Sequence, residues 1–173
     1  MARRKPFSRN DILEIQKQIV TAQQCVLMIS LLIMYDRFNA SKAQIINAYG
    51  LYKAEVAQYH AWSVNDVKKA YSDFKAVAKT FKDAELRIDN GYGNCKRNVE
   101  DMITNTGAVC FYIMLRLLRT NFGANYEQLE YFIDCYNDFK ETYVDGEQTD
   151  IRVLAHELYE ATGVDVFGDE EKK

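Results

Sequence analysis

The sequence is poor in residues that break helices, and its uninterrupted apolar runs are short. Its 173 residues include one proline and eight glycines, too few for the turns of an all-β chain or for a disordered one. An all-α fold is therefore expected. The longest apolar run, CVLMISLLIMY at positions 25–35, is well short of the roughly 20 residues that span a membrane. It predicts a buried core helix.

Histidine and catalytic motifs are also scarce. The chain has two histidines, and HELYE (156–160) matches only half of a zinc-protease motif, with Glu160 where the second histidine would stand. No Walker A loop, dinucleotide-binding glycine motif or nucleophile elbow occurs. We expect no catalytic residues, no metal ligands, no cofactor and no enzymatic activity. Catalysis would be plausible only if the aligned acidic residues of segment 126–141, described below, bound a metal ion.

The cysteines, Cys25, Cys95, Cys110 and Cys135, form no CxxC pair or other metal-binding spacing. The basic start MARRKPFSRND is followed by no apolar leader segment. Both observations favour free thiols in a reducing compartment. A cytoplasmic location, in a bacterial host cell, is expected.

An internal repeat is predicted when the chain is shifted by 84 residues. Ten identical pairs then occur in about 65 positions, among them Phe38 with Phe122 and Tyr52 with Tyr136. The alternative is two unrelated helical stretches that share a hydrophobic period. The repeat predicts about six helices in two tandem three-helix units. The expected division is a basic arm (1–9), a basic unit (10–88), a linker (89–95), an acidic unit (96–167) and a tail (168–173).

Three helices are expected in each unit. Their predicted positions are about 10–36, 42–59 and from Asn65 in the first unit, and about 96–120, 126–143 and from Thr149 in the second. Ser41 and Asn125 are the expected N-caps of the middle helices, because their side chains can accept a backbone hydrogen bond.

Charge is distributed unevenly along the chain. The net charge is −3. Residues 1–87 nevertheless hold 14 Lys and Arg against 8 Asp and Glu, and residues 88–173 hold 8 against 17. Such an asymmetry points to charged partners, or to one half facing the other.

The segment YEQLEYFIDCYNDFKE (126–141) holds the most unusual pattern. Its acidic residues are spaced by three or four positions, so that a helix places them on one face: Glu127, Glu130, Asp134, Asp138 and Glu141. We call these five residues the acidic face. Adjacent pairs repel by about 0.2–0.5 kcal/mol each, and Lys140 is not placed to offset them. The acidic face is therefore a candidate for binding a basic partner; the alternative is an ordinary solvated face.

The matching positions of the first unit hold small or apolar residues: Ala43, Ile46, Gly50, Ala54 and Ala57. Small residues at this spacing let another helix approach closely, so this row is expected to be a buried helix-packing face. The alternative is that the alanines are simply good helix formers.

Basic residues form a second candidate surface, for nucleic acid. The possible phosphate contacts are Arg3, Arg4, Lys5, Arg9, Lys68, Lys75, Lys79 and Lys82. No recognition-helix or RNA-binding aromatic pattern accompanies them, and solubilising lysines are the alternative.

The stretches LLRTNFGANYEQLEYFIDCYNDF and TDIRVLAHELYEATGV resemble small all-helical proteins encoded by phages and prophages. In those, an apolar helix ends at a Phe-Gly turn and is followed by a Leu-x-x-Phe helix and an acidic, Leu-rich end. The resemblance covers about residues 107–166. This chain departs from it after Phe-Gly, where Ala124 and Asn125 replace basic residues. The resemblance implies a mobile-element origin and no particular activity.

Three functions follow as expectations. The first is a non-catalytic protein that binds a basic protein of the host through the acidic face, as an inhibitor of a nucleic-acid-handling or defence protein. The second is a nucleic-acid-binding regulator that uses the basic half. The third is a structural homo-oligomer in which basic and acidic halves meet. No membrane partner is expected.

Overall fold

The computed structural model describes residues 9–58, 99–143 and 151–168. These ranges hold five helices and no strand: α1 (Arg9–Asp36), α2 (Lys42–Gln58), α3 (Val99–Asn121), α4 (Tyr126–Tyr143) and α5 (Ile151–Thr162). The all-α prediction is confirmed, and the predicted middle helices agree with α2 and α4 to within one residue. The third helix of the first unit, the linker 89–95 and the N-terminal arm before Arg9 lie outside the described residues.

The packing of α1 against α3 forms the centre of the fold. Nine consecutive residues of α1, 26–34, and eight of α3, 108–115, are all buried. A helix buried on every side must be apolar on every side, and both stretches are, apart from Ser30. The prediction that the apolar run 25–35 is a core helix is therefore confirmed, although Cys25 and Tyr35 at its ends are partly or largely exposed.

The apolar character of α1 extends over much of the helix. Within the ranges that the structure describes, one segment, Leu13–Asp36, is long and apolar enough to cross a membrane by composition. However, 56% of its most apolar window is buried inside the protein. Residues 26–34 of this segment belong to the core that α1 forms with α3.

The turn between α1 and α2 is held by backbone hydrogen bonds and by a capping box. Asn39 has a positive φ of 51°, and Ala40 N–H donates to the Met34 carbonyl at 2.9 Å. The Ser41 N–H donates to Gln44 Oε1 at 2.8 Å, and the Gln44 N–H donates to Ser41 Oγ at 3.4 Å. This reciprocal pair satisfies donors that a helix start leaves without partners, and it confirms Ser41 as the N-cap.

The turn between α3 and α4 is built in the same way. Gly123 has a positive φ of 70°, and Ala124 N–H donates to the Leu118 carbonyl at 3.0 Å. Asn125 and Gln128 exchange two hydrogen bonds of 2.9 Å, which confirms Asn125 as the N-cap. Each of these residues follows its counterpart in the first turn by 84 positions. The two turns therefore share the same hydrogen-bond pattern. This similarity concerns the turns and their adjoining helices, and the 84-residue repeat stays a prediction.

The remaining helices cover this core pair. Helix α2 packs on it through Ile45, Ala48 and Tyr52, and α5 through Leu154 and Leu158. An ion pair between Arg116 of α3 and Glu55 of α2 lies at the half-exposed edge of the first interface.

The chain after α5 also folds back onto the core. It turns at Gly163, whose φ is 76°, and buries Val164 and Val166. The C-terminal segment 163–168 is thereby fixed beside α1 and α2.

Neighbouring buried residues of α1 should respond to truncation in opposite directions. Ser30 is fully buried and its Oγ has no hydrogen-bond partner, so its desolvation is uncompensated. Ser30→Ala should therefore raise the free energy of unfolding by about 1 kcal/mol. Leu31, also fully buried, should lose about 2–5 kcal/mol on truncation to alanine, because a cavity remains.

Urea unfolding followed by circular dichroism measures both changes. Ile46→Ala is the control, since Ile46 is 48% exposed and its truncation should change stability by about 0.5 kcal/mol or less. A destabilised Ser30→Ala variant would show that the hydroxyl has a partner that contributes to folding.

Candidate functional site

The orientation of α4 is set by its buried face. Leu129 and Phe132 are fully buried, and Ile133 and Tyr136 nearly so. The Phe132 ring centroid lies 6.2 Å from that of Phe111 and 6.2 Å from that of Phe38. Tyr136 packs on Phe111 at 4.2 Å. These contacts with α3 and with the turn after α1 leave little freedom for α4 to rotate about its axis.

The acidic face lies opposite this buried face. All five of its carboxylate residues are exposed: Glu127, Glu130, Asp134, Asp138 and Glu141. At 3.6 residues per turn, they fall within about a quarter of the helix circumference. Their backbone positions extend along about 21 Å of the helix axis, at a rise of about 1.5 Å per residue. The structure thus brings together every acidic residue that the spacing had placed on one face.

The acidic face is not neutralised by neighbouring cations. Among residues 9–58, 99–143 and 151–168, no ion pair joins any of its five carboxylates to a Lys, Arg or His. Lys140 is partly buried and engaged in another interaction. Within these described residues no ion pair offsets the repulsion along the helix, and a partner with basic groups would relieve it.

Two exposed tyrosines border the acidic face, one on each side. Tyr126 is 43% exposed, and the Arg119 guanidinium lies over its ring at 4.1 Å from the centroid. Tyr131 is 50% exposed and rests on Phe38, with 5.7 Å between centroids. A hydrogen bond with Cys135 raises the pKa of Tyr131. Tyrosine is enriched at protein interfaces, so both residues extend the candidate surface.

Neither tyrosine is among the site residues predicted from the sequence. Their positions on either side of the acids could have been predicted from a helical wheel. Their exposure to solvent could not, because tyrosine is found both in cores and on surfaces.

The predicted helix-packing face of the first unit is wrong as a buried surface. Its five residues are all exposed in the structure: Ala43, Ile46, Gly50, Ala54 and Ala57. The reason is that α2 turns its opposite side to the core, through Ile45, Ala48 and Tyr52. The presence of small side chains did not determine which side of α2 packs against the core. Helices α2 and α4 therefore both present these matching positions to the surface.

Most of the predicted nucleic-acid contacts lie outside the described residues: Arg3, Arg4, Lys5, Lys68, Lys75, Lys79 and Lys82. Arg9 is described and is exposed at the start of α1. It is part of a helix, and not of an arm that precedes one. The basic surface stays a prediction.

The HELYE segment and the buried thiol of Cys110 are two candidate reactive groups in the described part of the chain. His156, Glu157 and Glu160 of the HELYE segment are exposed, and no group of three or more His, Cys, Asp and Glu residues within these ranges is placed to hold a metal ion. Burial raises the pKa of the Cys110 thiol to about 12, despite a hydrogen bond with Tyr52 that lowers it. Cys110 is thus a poor nucleophile at neutral pH.

Comparisons with family models, with curated proteins and with solved structures gave no match to this chain. The resemblance to helical phage proteins therefore stays an expectation, and the candidate site rests on its own geometry.

The repulsion along the acidic face gives a prediction about stability. Asp134→Lys replaces two like-charged pairs, with Glu130 and Asp138, by two opposite-charged pairs. The free energy of unfolding should rise by about 1 kcal/mol at low salt. The gain should shrink near 1 M NaCl, where screening acts over about 3 Å.

The control is Ala54→Lys, on the exposed side of α2, where no charged residue stands three or four positions away. Its effect on urea unfolding should stay within about 0.5 kcal/mol at either salt concentration. Equal effects of the two substitutions would mean that the acidic face is not under electrostatic strain.

Proposed function

We propose that this protein is a non-catalytic interaction protein that binds a basic surface of another protein through its acidic face. The observation that supports this most is the row of five exposed carboxylates on α4, none of them in an ion pair within the described residues. A helix that bears this repulsion loses stability unless a partner supplies the missing cations.

The spacing of the charges supports a nucleic-acid-handling protein as the partner. Five charges over about 21 Å give one charge per roughly 5 Å of helix axis. Each strand of duplex DNA has one charge per about 3.4 Å of helix axis, so the acidic face is less dense in charge than a phosphate backbone but of the same order. A groove lined with Lys and Arg for a phosphate backbone is therefore a suitable receptor, and occupation of that groove would inhibit the partner. Such an inhibitor, encoded by a phage or another mobile element, would act in the cytoplasm of a bacterial host.

The flanking tyrosines would supply the part of the interface that is independent of charge. Exposed carboxylates favour fast association and specificity more than affinity, because salt and water weaken their pairing. Tyr126 and Tyr131 add exposed aromatic area at the two edges of the row. Aromatic residues at such positions are common determinants of binding energy.

The 84-residue repeat belongs to the same proposal. If the two units arose by duplication, they differ most clearly on the outer sides of their middle helices. One side carries the acidic face, and the other carries Ala43, Ile46, Gly50, Ala54 and Ala57. A function that only the second unit has would then depend on the acidic face, which the first unit lacks.

The test compares two variants that change net charge equally. The first, Glu130→Gln with Asp134→Asn and Asp138→Asn, neutralises the centre of the acidic face. The second, Ala43→Lys with Ile46→Lys and Ala54→Lys, adds three charges to exposed positions of α2. Each variant and the wild type are used for capture from bacterial lysate, with and without nuclease treatment, and a captured protein is identified and purified.

Its affinity is then measured by calorimetry at several salt concentrations. We expect the amide variant to bind about 10- to 100-fold more weakly, and the lysine variant to keep most of its affinity. Wild-type affinity should fall as salt increases. Equal binding by the amide variant would refute a role for the acidic face. Capture of nucleic acid by all three proteins would instead favour the regulator, and self-association lost at high salt would favour the homo-oligomer.

A further inference from the structure

The C-terminal segment 163–168 lies in a groove between α1 and α2. Its residues alternate in exposure: Val164 and Val166 are buried, whereas Gly163 and Asp165 are exposed. Asp165 Oδ1 accepts the Phe167 N–H at 3.1 Å, which closes a short turn within the segment. The segment therefore enters the groove through two apolar side chains, one on each side of a turn-forming aspartate.

The groove holds this segment by its backbone. Tyr49 Oη of α2 donates to the Asp165 carbonyl at 3.2 Å, and Gln24 Nε2 of α1 donates to the Val166 carbonyl at 3.4 Å. Because every residue has a backbone carbonyl, these two acceptors can be supplied by a segment of another sequence. The side chains that enter the groove must then decide which segment fits it best.

The C-terminal segment does not fill the groove beside Val166. A cleft of about 240 Å³ borders this residue, and its floor includes Leu27 and Tyr52, which are 4% and 2% exposed. Tyr52 Oη donates to the Gln23 carbonyl at 3.1 Å, which joins α2 to α1 and fixes the width of the cleft. A cavity of about 150 Å³ accepts benzene, so a phenyl ring has room at this position. Valine is thus smaller than the space that the groove offers.

We propose that the groove binds a short segment of another protein that has an aromatic side chain where Val166 lies, and that the C-terminal segment occupies the groove until this partner displaces it. The partner's ring fills the cleft over Leu27 and Tyr52, and its backbone carbonyls accept the hydrogen bonds of Tyr49 and Gln24. The larger apolar area that it buries favours the exchange. This groove is separate from the acidic face and does not depend on the function proposed for it.

The C-terminal segment competes strongly because it is part of the same chain. A tethered segment acts at an effective concentration of about 1 mM or more. The affinity of the wild type for an added peptide is therefore reduced by this occupant. A change that weakens or strengthens the occupant should raise or lower that affinity.

Two variants of the full chain change the occupant in opposite directions at one position. Val166→Asp places a carboxylate against the apolar floor and should release the segment, because burial of an unpaired charge is unfavourable. Val166→Phe places a ring in the cleft from within the chain and should close the groove. Its melting temperature should rise, whereas Val164→Phe should lower it, since Val164 is 4% exposed and does not line the cleft.

The probe is the peptide acetyl-Gly-Val-Asp-Phe-Phe-Gly-amide, which copies residues 163–168 with phenylalanine at the position of Val166. It is titrated to about 5 mM, enough to occupy most of a site with a Kd near 1 mM. Binding is followed by NMR through the methyl resonances of Leu27 and Val56, which line the cleft. We expect Val166→Asp to bind at least about tenfold more tightly than the wild type, and Val166→Phe to show no saturable shift.

Two further probes define the ligand. A peptide with aspartate in place of its first phenylalanine should not bind Val166→Asp, because the cleft floor is apolar. N-acetylphenylalanine amide has the ring without the rest of the segment. It should bind Val166→Asp at least about tenfold more weakly than the full peptide, since it buries less area and supplies fewer backbone acceptors.

The proposal is overturned if the wild type binds the peptide as tightly as Val166→Asp does, or if Val166→Phe gives the same shifts as the wild type. Circular dichroism verifies the folding of each variant. Should Val166→Asp not fold, the comparison of the wild type with Val166→Phe still decides the question. Equal affinities for the peptide and for N-acetylphenylalanine amide would also overturn the proposal, and would favour a small aromatic ligand instead.

Discussion

The packing of α1 against α3 determines where every other described helix can lie. Each helix has a stretch of eight or nine residues with no side exposed to water, so neither is stable in water without the other and without the helices that cover them. Burial of this area supplies most of the folding free energy. Helices α4 and α5 are amphipathic because they must cover this pair and also face solvent. The inner positions of α2 and α4 are apolar in both helices, whereas the matching outer positions are uncharged in α2 and acidic in α4.

That division explains how α4 tolerates its acidic face. Four repulsive pairs cost about 1–2 kcal/mol in all, which is small beside the burial of Leu129, Phe132 and Tyr136 on the other side. The core thus fixes the helix, and the outer surface is free to serve recognition. The two turns contribute by determining where α2 and α4 begin. Their capping boxes set the register from which every outward position follows.

Convex and concave parts of the surface differ in how they are formed. The acidic face is a convex surface that a single helix provides, so its residues could be found from their spacing alone. A cleft between α1, α2 and the C-terminal segment 163–168 is concave and needs segments that are far apart in the chain, since Gln24 and Val166 are hydrogen-bonded across 142 positions.

Four features could be predicted from the sequence: the helical class, the starts of α2 and α4, the buried apolar run of α1 and the grouping of the five acids. All of these depend on local propensity, capping or helical periodicity, which neighbours along the chain define. The side of α2 that faces the core, in contrast, depends on how the folded helices pack. The row of small residues on α2 was compatible with either a packed or an exposed face. The face with Ile45, Ala48 and Tyr52 packs against the core because it buries more apolar area. The cleft likewise required the tertiary structure, since no periodicity connects residues that meet only when the chain folds back on itself.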